Sequence, residues 1–329
     1  IGVYIIFCTF LILFAGLRAV GVDNDSLSYQ AAFNFYAKSS VPAIIKGGFG
    51  YAEKGYVFLN YYAAALGLTY HDFLILFAFL IGFFNFSYFS KYSKYLFLSV
   101  LFYVSFFYFY RDFTQIRYAL SGALVFWFVA FYQEKSYYRA FIFFITAVLF
   151  HNAAFIMIPV LLMVKYIDKK LIYLLLPIPC LLIGTLINSL SLLLSFNVDA
   201  GHLSIYKNDQ SGGSLSISII GYILIVLYLL ANKNKITDKY GSYDYLCWKL
   251  VALGVSLNFL TLGVSIFQRF SGMLFQFSIL LLPIIVYDMR NNFKRKDSYF
   301  LMYLFVCLLL LLYGFRIINE DLVRSYKMF

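Results

Sequence analysis

Arginine is the residue type with the clearest chemical purpose in this sequence. Six of its nine arginines lie in short segments between long apolar runs, on the side opposite to most lysines: Arg18, Arg111, Arg117, Arg269, Arg316 and Arg324. A guanidinium is costly near lipid and cannot become neutral by losing its proton, so it is retained there for a partner. Its planar fork binds oxyanions bidentately. The pattern predicts an anionic ligand that arrives with the lipid, such as a lipid-linked diphosphate held by Arg18, Arg117, Arg269 and Arg316.

The segment that begins at Arg18 combines a glycine with two carboxylates. It reads RAVGVDND from Arg18 to Asp25, and Tyr29 closes it. Such a segment could bind phosphate through Arg18, polarise a hydroxyl through Asp23 and contact a sugar through Tyr29. A helix-end Arg18 paired with a nearby aspartate is an alternative of equal weight.

Glu53 and Asn60 stand at the start of a short apolar segment. Glu53 could accept a proton from a sugar hydroxyl, and Asn60 could hydrogen-bond the sugar. A carboxylate at a helix N-terminus also stabilises the helix itself, so a cap is the alternative for Glu53.

A polar stripe enters the apolar segment 113–132. Thr114, Arg117, Tyr118 and Ser121 are spaced to fall on one helix face. Arg111 precedes the stripe and is interpreted as an interfacial side chain that reaches toward water. Arg117 lies about a turn deeper, which favours a functional role.

His151 follows an apolar segment that is too short to cross a membrane, and a turn is predicted there. A histidine in such a turn could serve as a general base if a substrate reaches it. A structural hydrogen-bonding role is the alternative. Tyr206, in the polar loop 197–214, is a candidate sugar contact.

Composition identifies an integral membrane protein. The chain is 63% hydrophobic and 12% charged, whereas soluble domains carry about 25% charged residues. The net charge of +11 comes from scattered basic residues rather than a stripe, so nucleic acid is not an expected partner. No nucleotide-binding, serine esterase or zinc protease motif is present, and the dispersed histidines and cysteines predict no metal site. No cofactor is expected.

The distribution of lysines predicts the topology. The chain is predicted to be a single integral membrane domain over 1–329, all α-helical with about 9–11 membrane-spanning helices. In this arrangement the lysines lie in the cytoplasm only if the segment 56–69 does not cross the membrane. That segment is therefore predicted to be a short re-entrant or interfacial helix. The segment 138–165 is predicted to be a short hairpin, and the loops 18–55 and 197–214 are predicted to be periplasmic.

Four motifs occur in the order typical of one bacterial family. LRAVGVDNDSLSY, EKGYVFLN, QIRYA and LFHNAAF resemble the ordered motifs of the EpsG-like Wzy polysaccharide polymerases. The residues that match individually are Arg18, Gly21, Tyr29, Glu53, Gly55, Asn60, Arg117 and His151. Asp23 matches the family aspartate, while Tyr118 and Asn152-Ala153 depart from the family pattern.

The resemblance implies a glycosyltransferase bundle similar to the GT-C type. It implies that undecaprenyl-diphosphate-linked oligosaccharide repeat units, of O-antigen, capsule or exopolysaccharide, are polymerised at the periplasmic face of the bacterial inner membrane. Membrane lipid and a chain-length regulator protein are the further partners implied. Two alternatives stay open: a ligase of the O-antigen ligase type, and a flippase for lipid-linked oligosaccharide.

Overall fold

A computed structural model describes residues 2–41, 52–194, 213–231, 242–262, 265–293, 295–318, 324 and 326–329. These residues form helices and connecting turns, and an isolated β-bridge joins Arg18 and Met328. The α-helices are α1 (Gly2–Gly16), α2 (Ser26–Ala37), α3 (Lys54–Ala65), α4 (Tyr70–Tyr92), α5 (Leu96–Tyr103), α6 (Ile116–Gln133), α7 (Tyr137–Phe150), α8 (Met157–Tyr166), α9 (Lys170–Leu175), α10 (Pro177–Leu194), α11 (Gly213–Ala231), α12 (Tyr243–Leu260), α13 (Ser265–Phe275), α14 (Ser278–Met289) and α15 (Lys296–Ile317). A π-helix (Val104–Thr114) continues α5, and 3-10 helices cover Asn152–Ile156 and Arg290–Asn292.

The predicted class, an all-α protein that crosses a membrane several times, is confirmed. Crossing a hydrocarbon core of about 30 Å takes roughly 20 apolar residues. Among the described residues, six helical stretches are long and apolar enough: Tyr70–Tyr92, Leu96–Thr114, Ile116–Gln133, Lys170–Ile187, Phe267–Met289 and Lys296–Arg316. Four shorter apolar helices are Gly2–Gly16, Tyr137–Phe150, Asn152–Tyr166 and Leu215–Ala231.

The chain divides into two compact units, of which the first contains residues 1–154 and 295–329. In this unit α4 packs against α1 and α6, α6 packs against α7, and α15 packs along the π-helix. Aromatic side chains fill these contacts; the rings of Tyr88 and Phe126 stack 4.5 Å apart between α4 and α6. Ser121 of α6 also donates a hydrogen bond of 2.8 Å to the carbonyl oxygen of Ala147 in α7. The stacking helps to fix the register of α4 against α6, and the hydrogen bond helps to fix that of α6 against α7.

The segment 18–55, expected to be a loop, contains the helix α2. Tyr29, Ala32, Phe33 and Tyr36 are buried, and their spacing is that of one helix face. α2 packs against α3. The apolar face of α2 is also covered by the start of α4, where Phe33 contacts Tyr70 and Phe73. The periplasmic location of 18–55 stays a prediction.

The helix α3 has 12 residues, so it extends over about 18 Å at 1.5 Å per residue. It ends shortly before Gly67, where φ is +79°, in the region that glycine favours. Re-entry of this short helix into a membrane stays a prediction.

Gly55, in the first turn of α3, permits a close approach to α7. A β-carbon at this position would lie 2.7 Å from the carbonyl oxygen of Leu149 and 2.9 Å from the Leu149 β-carbon. Neither neighbour can move easily, because one is backbone and the other lies at the end of a packed helix. The absence of a side chain therefore holds the start of α3 against the end of α7.

We expect Gly55→Ala to destabilise the protein by about 1–3 kcal/mol, the usual cost of overpacking. The apparent melting temperature in detergent would measure it. Gly2→Ala is the matched control, because a β-carbon there meets no atom within 4 Å. Equal melting temperatures for the two variants would contradict the proposed close fit.

The end of the chain returns to α1. The amide of Ala19 donates to the carbonyl oxygen of Lys327 at 2.7 Å, and the Tyr326 ring stacks on Phe14 at 4.2 Å. The amide of Arg324 donates to the carbonyl oxygen of Val22 at 2.8 Å. The segment that follows α1 is thus held in place by contacts with residues 324–327.

The second unit contains residues 155–294, with α12 packed against α10, α11, α13 and α14. Trp248 is fully buried and its ring stacks with Tyr245 at 5.4 Å. Lys249 forms an ion pair with Asp168. A break at Leu176, directly before Pro177, separates α9 from α10, because proline cannot donate a helical hydrogen bond.

Candidate functional site

The centre of the candidate site is an ion pair between α3 and α6. Nη1 of Arg117, in the first turn of α6, lies 2.6 Å from Oε2 of Glu53, and the two side chains are 22% and 5% exposed. Glu53 occupies the position before α3 but makes no capping hydrogen bond to it. The cap that was the alternative for Glu53 is therefore not formed by its side chain.

Two tyrosine rings enclose the guanidinium of Arg117. Its carbon Cζ lies 5.8 Å from the ring centre of Tyr29 and 5.4 Å from that of Tyr56. These rings are themselves 5.7 Å apart. Aromatic faces favour a cation electrostatically, so α2 and α3 together orient Arg117.

Buried polar atoms in this region lack partners. Three of them make no hydrogen bond to any residue that the structure describes: Nε of Arg117, the hydroxyl of Tyr56 and the side-chain oxygen of Asn60. The amide nitrogen of Asn60 donates to the Tyr56 carbonyl oxygen at 2.7 Å. Burial raises the pKa of the Tyr56 hydroxyl well above its ordinary value, so it stays a neutral donor. An unpaired buried polar group costs about 1–3 kcal/mol, which a ligand with hydroxyl or phosphate oxygens would offset.

His151 joins this centre through its own turn. It follows the last residue of α7 and precedes the 3-10 helix Asn152–Ile156. The α-helix therefore ends where the sequence predicted a turn. The amide of Asn152 points at Oε1 of Glu53 at 3.4 Å. The imidazole packs edge-on against Tyr118, with ring centres 5.1 Å apart.

Arg111 is the cation that sequence reasoning assigned incorrectly. It was expected to reach toward water, but it is 5% exposed. Its Cζ lies 4.6 Å from the ring of Tyr118 and 4.5 Å from that of Phe107. Arg111 therefore packs against the same tyrosine that His151 contacts.

Asp112, next to Arg111, was not singled out from the sequence. It is buried and accepts a hydrogen bond from the hydroxyl of Tyr103 at 2.6 Å, and Asn85 donates to the same hydroxyl at 2.7 Å. The π-helix brings both charged residues inward. Two adjacent charges at the end of an apolar run were the signal that could have revealed them.

Arg18 is fully buried and its side chain is engaged on every side. Nε donates to Oδ2 of Asp23 at 2.8 Å, and the terminal nitrogens donate to the carbonyl oxygens of Ala15 and Phe113. Oδ1 of Asp23 accepts from the amide of Ser26 at 2.8 Å. This is the helix-end pair that the sequence left open as the alternative to phosphate binding.

We expect Asp23→Ala to lower the apparent stability by about 3–5 kcal/mol, because Arg18 would be left as a buried, uncompensated charge. Melting in detergent would measure this, with Asp25→Ala as the control. A variant that melts normally but makes no product would instead assign Asp23 to chemistry.

The structure brings five predicted residues into one region: Tyr29, Glu53, Asn60, Arg117 and His151. Arg316 is exposed at the end of α15, and it makes no ion pair with any residue that the structure describes. Arg269 is half-buried in α13 of the second unit. Tyr206 and most of the predicted loop 197–214 lie outside the described residues.

Comparison with known proteins identifies one family. The EpsG family matches residues 2–328. No curated protein and no solved structure matches the chain.

Proposed function

Because this chain belongs to the EpsG family, a family of Wzy-like polysaccharide polymerases, we propose that it polymerises undecaprenyl-diphosphate-linked oligosaccharide repeat units. Family membership and the apolar helices make it a multi-pass membrane protein. The proposal places the reaction at the periplasmic face of the bacterial inner membrane. The observation that carries it is the Arg117–Glu53 pair, which combines an anion-binding group with a carboxylate in one buried site.

The proposed reaction is a glycosyl transfer between two lipid-linked glycans. The hydroxyl oxygen of the acceptor sugar attacks the anomeric carbon of the donor glycan, and the bond from that carbon to the diphosphate oxygen breaks. The lipid diphosphate leaves with the electron pair, while the hydroxyl proton passes to a base. Stabilising the departing anion and removing the proton are the two tasks that the protein must perform.

Arg117 and Glu53 are suited to these two tasks, one after the other. Before substrate binds, Arg117 neutralises Glu53. A diphosphate that engages the guanidinium competes with this carboxylate, so Glu53 is released to accept the acceptor's proton only when the donor is in place. Arginine then stabilises the developing charge in the role that a metal ion has in other transferases.

Sugar recognition is assigned to the polar groups around the pair. Asn60 and Tyr29 offer hydrogen bonds and an aromatic face, and Tyr206 is a further proposed contact. Arg269 and Arg316 each stay a proposed ligand of a lipid diphosphate. A chain-length regulator is a proposed protein partner.

Reconstitution tests the proposal. The purified protein would be placed in proteoliposomes with the lipid-linked repeat unit isolated from a strain that lacks this gene. We expect a ladder of longer glycans on lipid diphosphate and release of undecaprenyl diphosphate, unaffected by EDTA.

Other products would identify other functions. Translocation of the lipid-linked sugar without any new glycosidic bond would establish a flippase. Transfer of glycan only when a lipid A core is supplied would establish a ligase. Either result would overturn the polymerase assignment.

A further inference from the structure

We infer that His151 acts as a hydrogen-bond donor through Nε2 to an anionic oxygen of the lipid diphosphate, and not as the general base. The inference rests on the proposed function, because it assigns a role within that reaction. It rests equally on a local geometry that is independent of any activity.

The geometry concerns the other ring nitrogen. Nδ1 of His151 accepts a hydrogen bond of 3.1 Å from the amide of Ala153. In a neutral imidazole one nitrogen carries the hydrogen and the other accepts. Since Nδ1 accepts, Nε2 carries the hydrogen in the neutral ring. Nε2 then has no lone pair with which to take a proton from a sugar hydroxyl.

This arrangement follows from the chain around His151. The residue lies between α7 and a 3-10 helix, and the first amides of a helix lack partners within it. The imidazole supplies the acceptor for one of them, as shorter polar side chains do at many helix starts. Moving the ring hydrogen to Nδ1 would set two donors, Nδ1–H and the Ala153 amide, against each other.

The surroundings identify what the donor would meet. On one side, Glu53 contacts the amide of the next residue, Asn152. On the other, Tyr118 contacts both the imidazole and the guanidinium of Arg111. His151 is thus linked to the Glu53–Arg117 pair through its neighbour Asn152, and to a second buried arginine through the ring of Tyr118. A neutral donor in a region that also holds two arginines suits a phosphoryl oxygen.

Two substitutions separate the functions of the two ring nitrogens. In His151→Gln, the longer side chain can present an amide N–H near the place of Nε2, and it cannot act as a base. In His151→Asn, the shorter side chain can accept from the Ala153 amide and preserve the turn, but it does not reach the place of Nε2. Neither amide titrates in the physiological range.

We expect His151→Gln to retain polymerisation within about tenfold of wild type. We expect His151→Asn to lose about 10²–10³-fold, the usual effect of removing a donor to a developing oxyanion. Equal losses in the two variants would overturn the inference in favour of a base. Higher activity in His151→Asn than in His151→Gln would overturn it in favour of a purely structural role for His151, as the acceptor that holds the turn.

The tautomer can be measured without any substrate. In a His71→Gln, His202→Gln background, His151 is the single histidine, and two-bond ¹H–¹⁵N correlation spectra of the protein in nanodiscs report which nitrogen carries hydrogen. We expect the Nε2–H form at neutral and alkaline pH. A ring with hydrogen on Nδ1 would overturn the inference even if polymerisation is normal, whereas an Nε2–H ring in a protein without polymerase activity would overturn the proposed function alone.

Discussion

Replacing Arg117 with alanine is expected to abolish long-chain glycan, with a fall in polymerisation rate of at least about 10³-fold. Loss of one donor to a developing oxyanion costs about 10²–10³-fold, and Arg117 also holds Glu53 in place. The remaining products should be single repeat units on lipid diphosphate.

The conservative replacement separates charge from shape. Arg117→Lys keeps a cation beside Glu53 but loses the planar fork that binds phosphate bidentately. We expect it to fold normally and to lose about 10²-fold in rate, since the fork supplies one oxyanion donor that lysine does not replace.

Arg139→Ala is the matched control for the loss of one positive charge, because Arg139 is exposed in α7. Rates from reconstituted protein, together with insertion and melting measurements, would test both variants. Normal chain-length ladders from a folded Arg117→Ala protein would refute the assignment of Arg117 to the diphosphate.

Replacing Glu53 with glutamine is expected to lower the rate by about 10²–10⁴-fold, the usual contribution of general base catalysis. The amide keeps the shape of the carboxylate, and its oxygen can still accept from Arg117. Folding should therefore be preserved, and the lesion should appear in the chemical step. Single-turnover rates with bound donor and acceptor would measure it.

The control for Glu53→Gln is Glu134→Gln. Glu134 is likewise paired with a cation, Lys91, but its side chain is 42% exposed, and surface pairs contribute little. That variant should polymerise normally. If Glu53→Gln retained a rate within about tenfold of wild type, the base would have to be sought elsewhere.

Much of the candidate site could be predicted from the sequence. Glu53, Asn60 and Arg117 are polar residues in or beside apolar segments, where burial without a partner is costly. Their types alone therefore marked them, and the structure places them together. His151 was marked because a turn was needed between short helices.

Other features depend on contacts between distant parts of the chain. The pair of Arg18 with Asp23 was one of two local alternatives, but the bond from Arg18 to the carbonyl oxygen of Phe113, 95 residues away, could not be read from any local pattern. The helix α2 is different: the spacing of Tyr29, Ala32, Phe33 and Tyr36 indicates a helix face. Polar residues lie between these positions, so the helical pattern of α2 is weak beside the long apolar runs of the rest of the chain.

The π-helix has a consequence for comparing members of this family. In an ordinary α-helix each residue advances by about 100°, so one residue gained or lost within Val104–Thr114 would rotate everything after it by that angle. If the change lay before Arg111, Asp112 would no longer face Tyr103, which precedes the π-helix, and Arg111 would turn with it. A gap in an alignment at this point would thus mark a change in the direction of two charged side chains rather than a harmless difference in length.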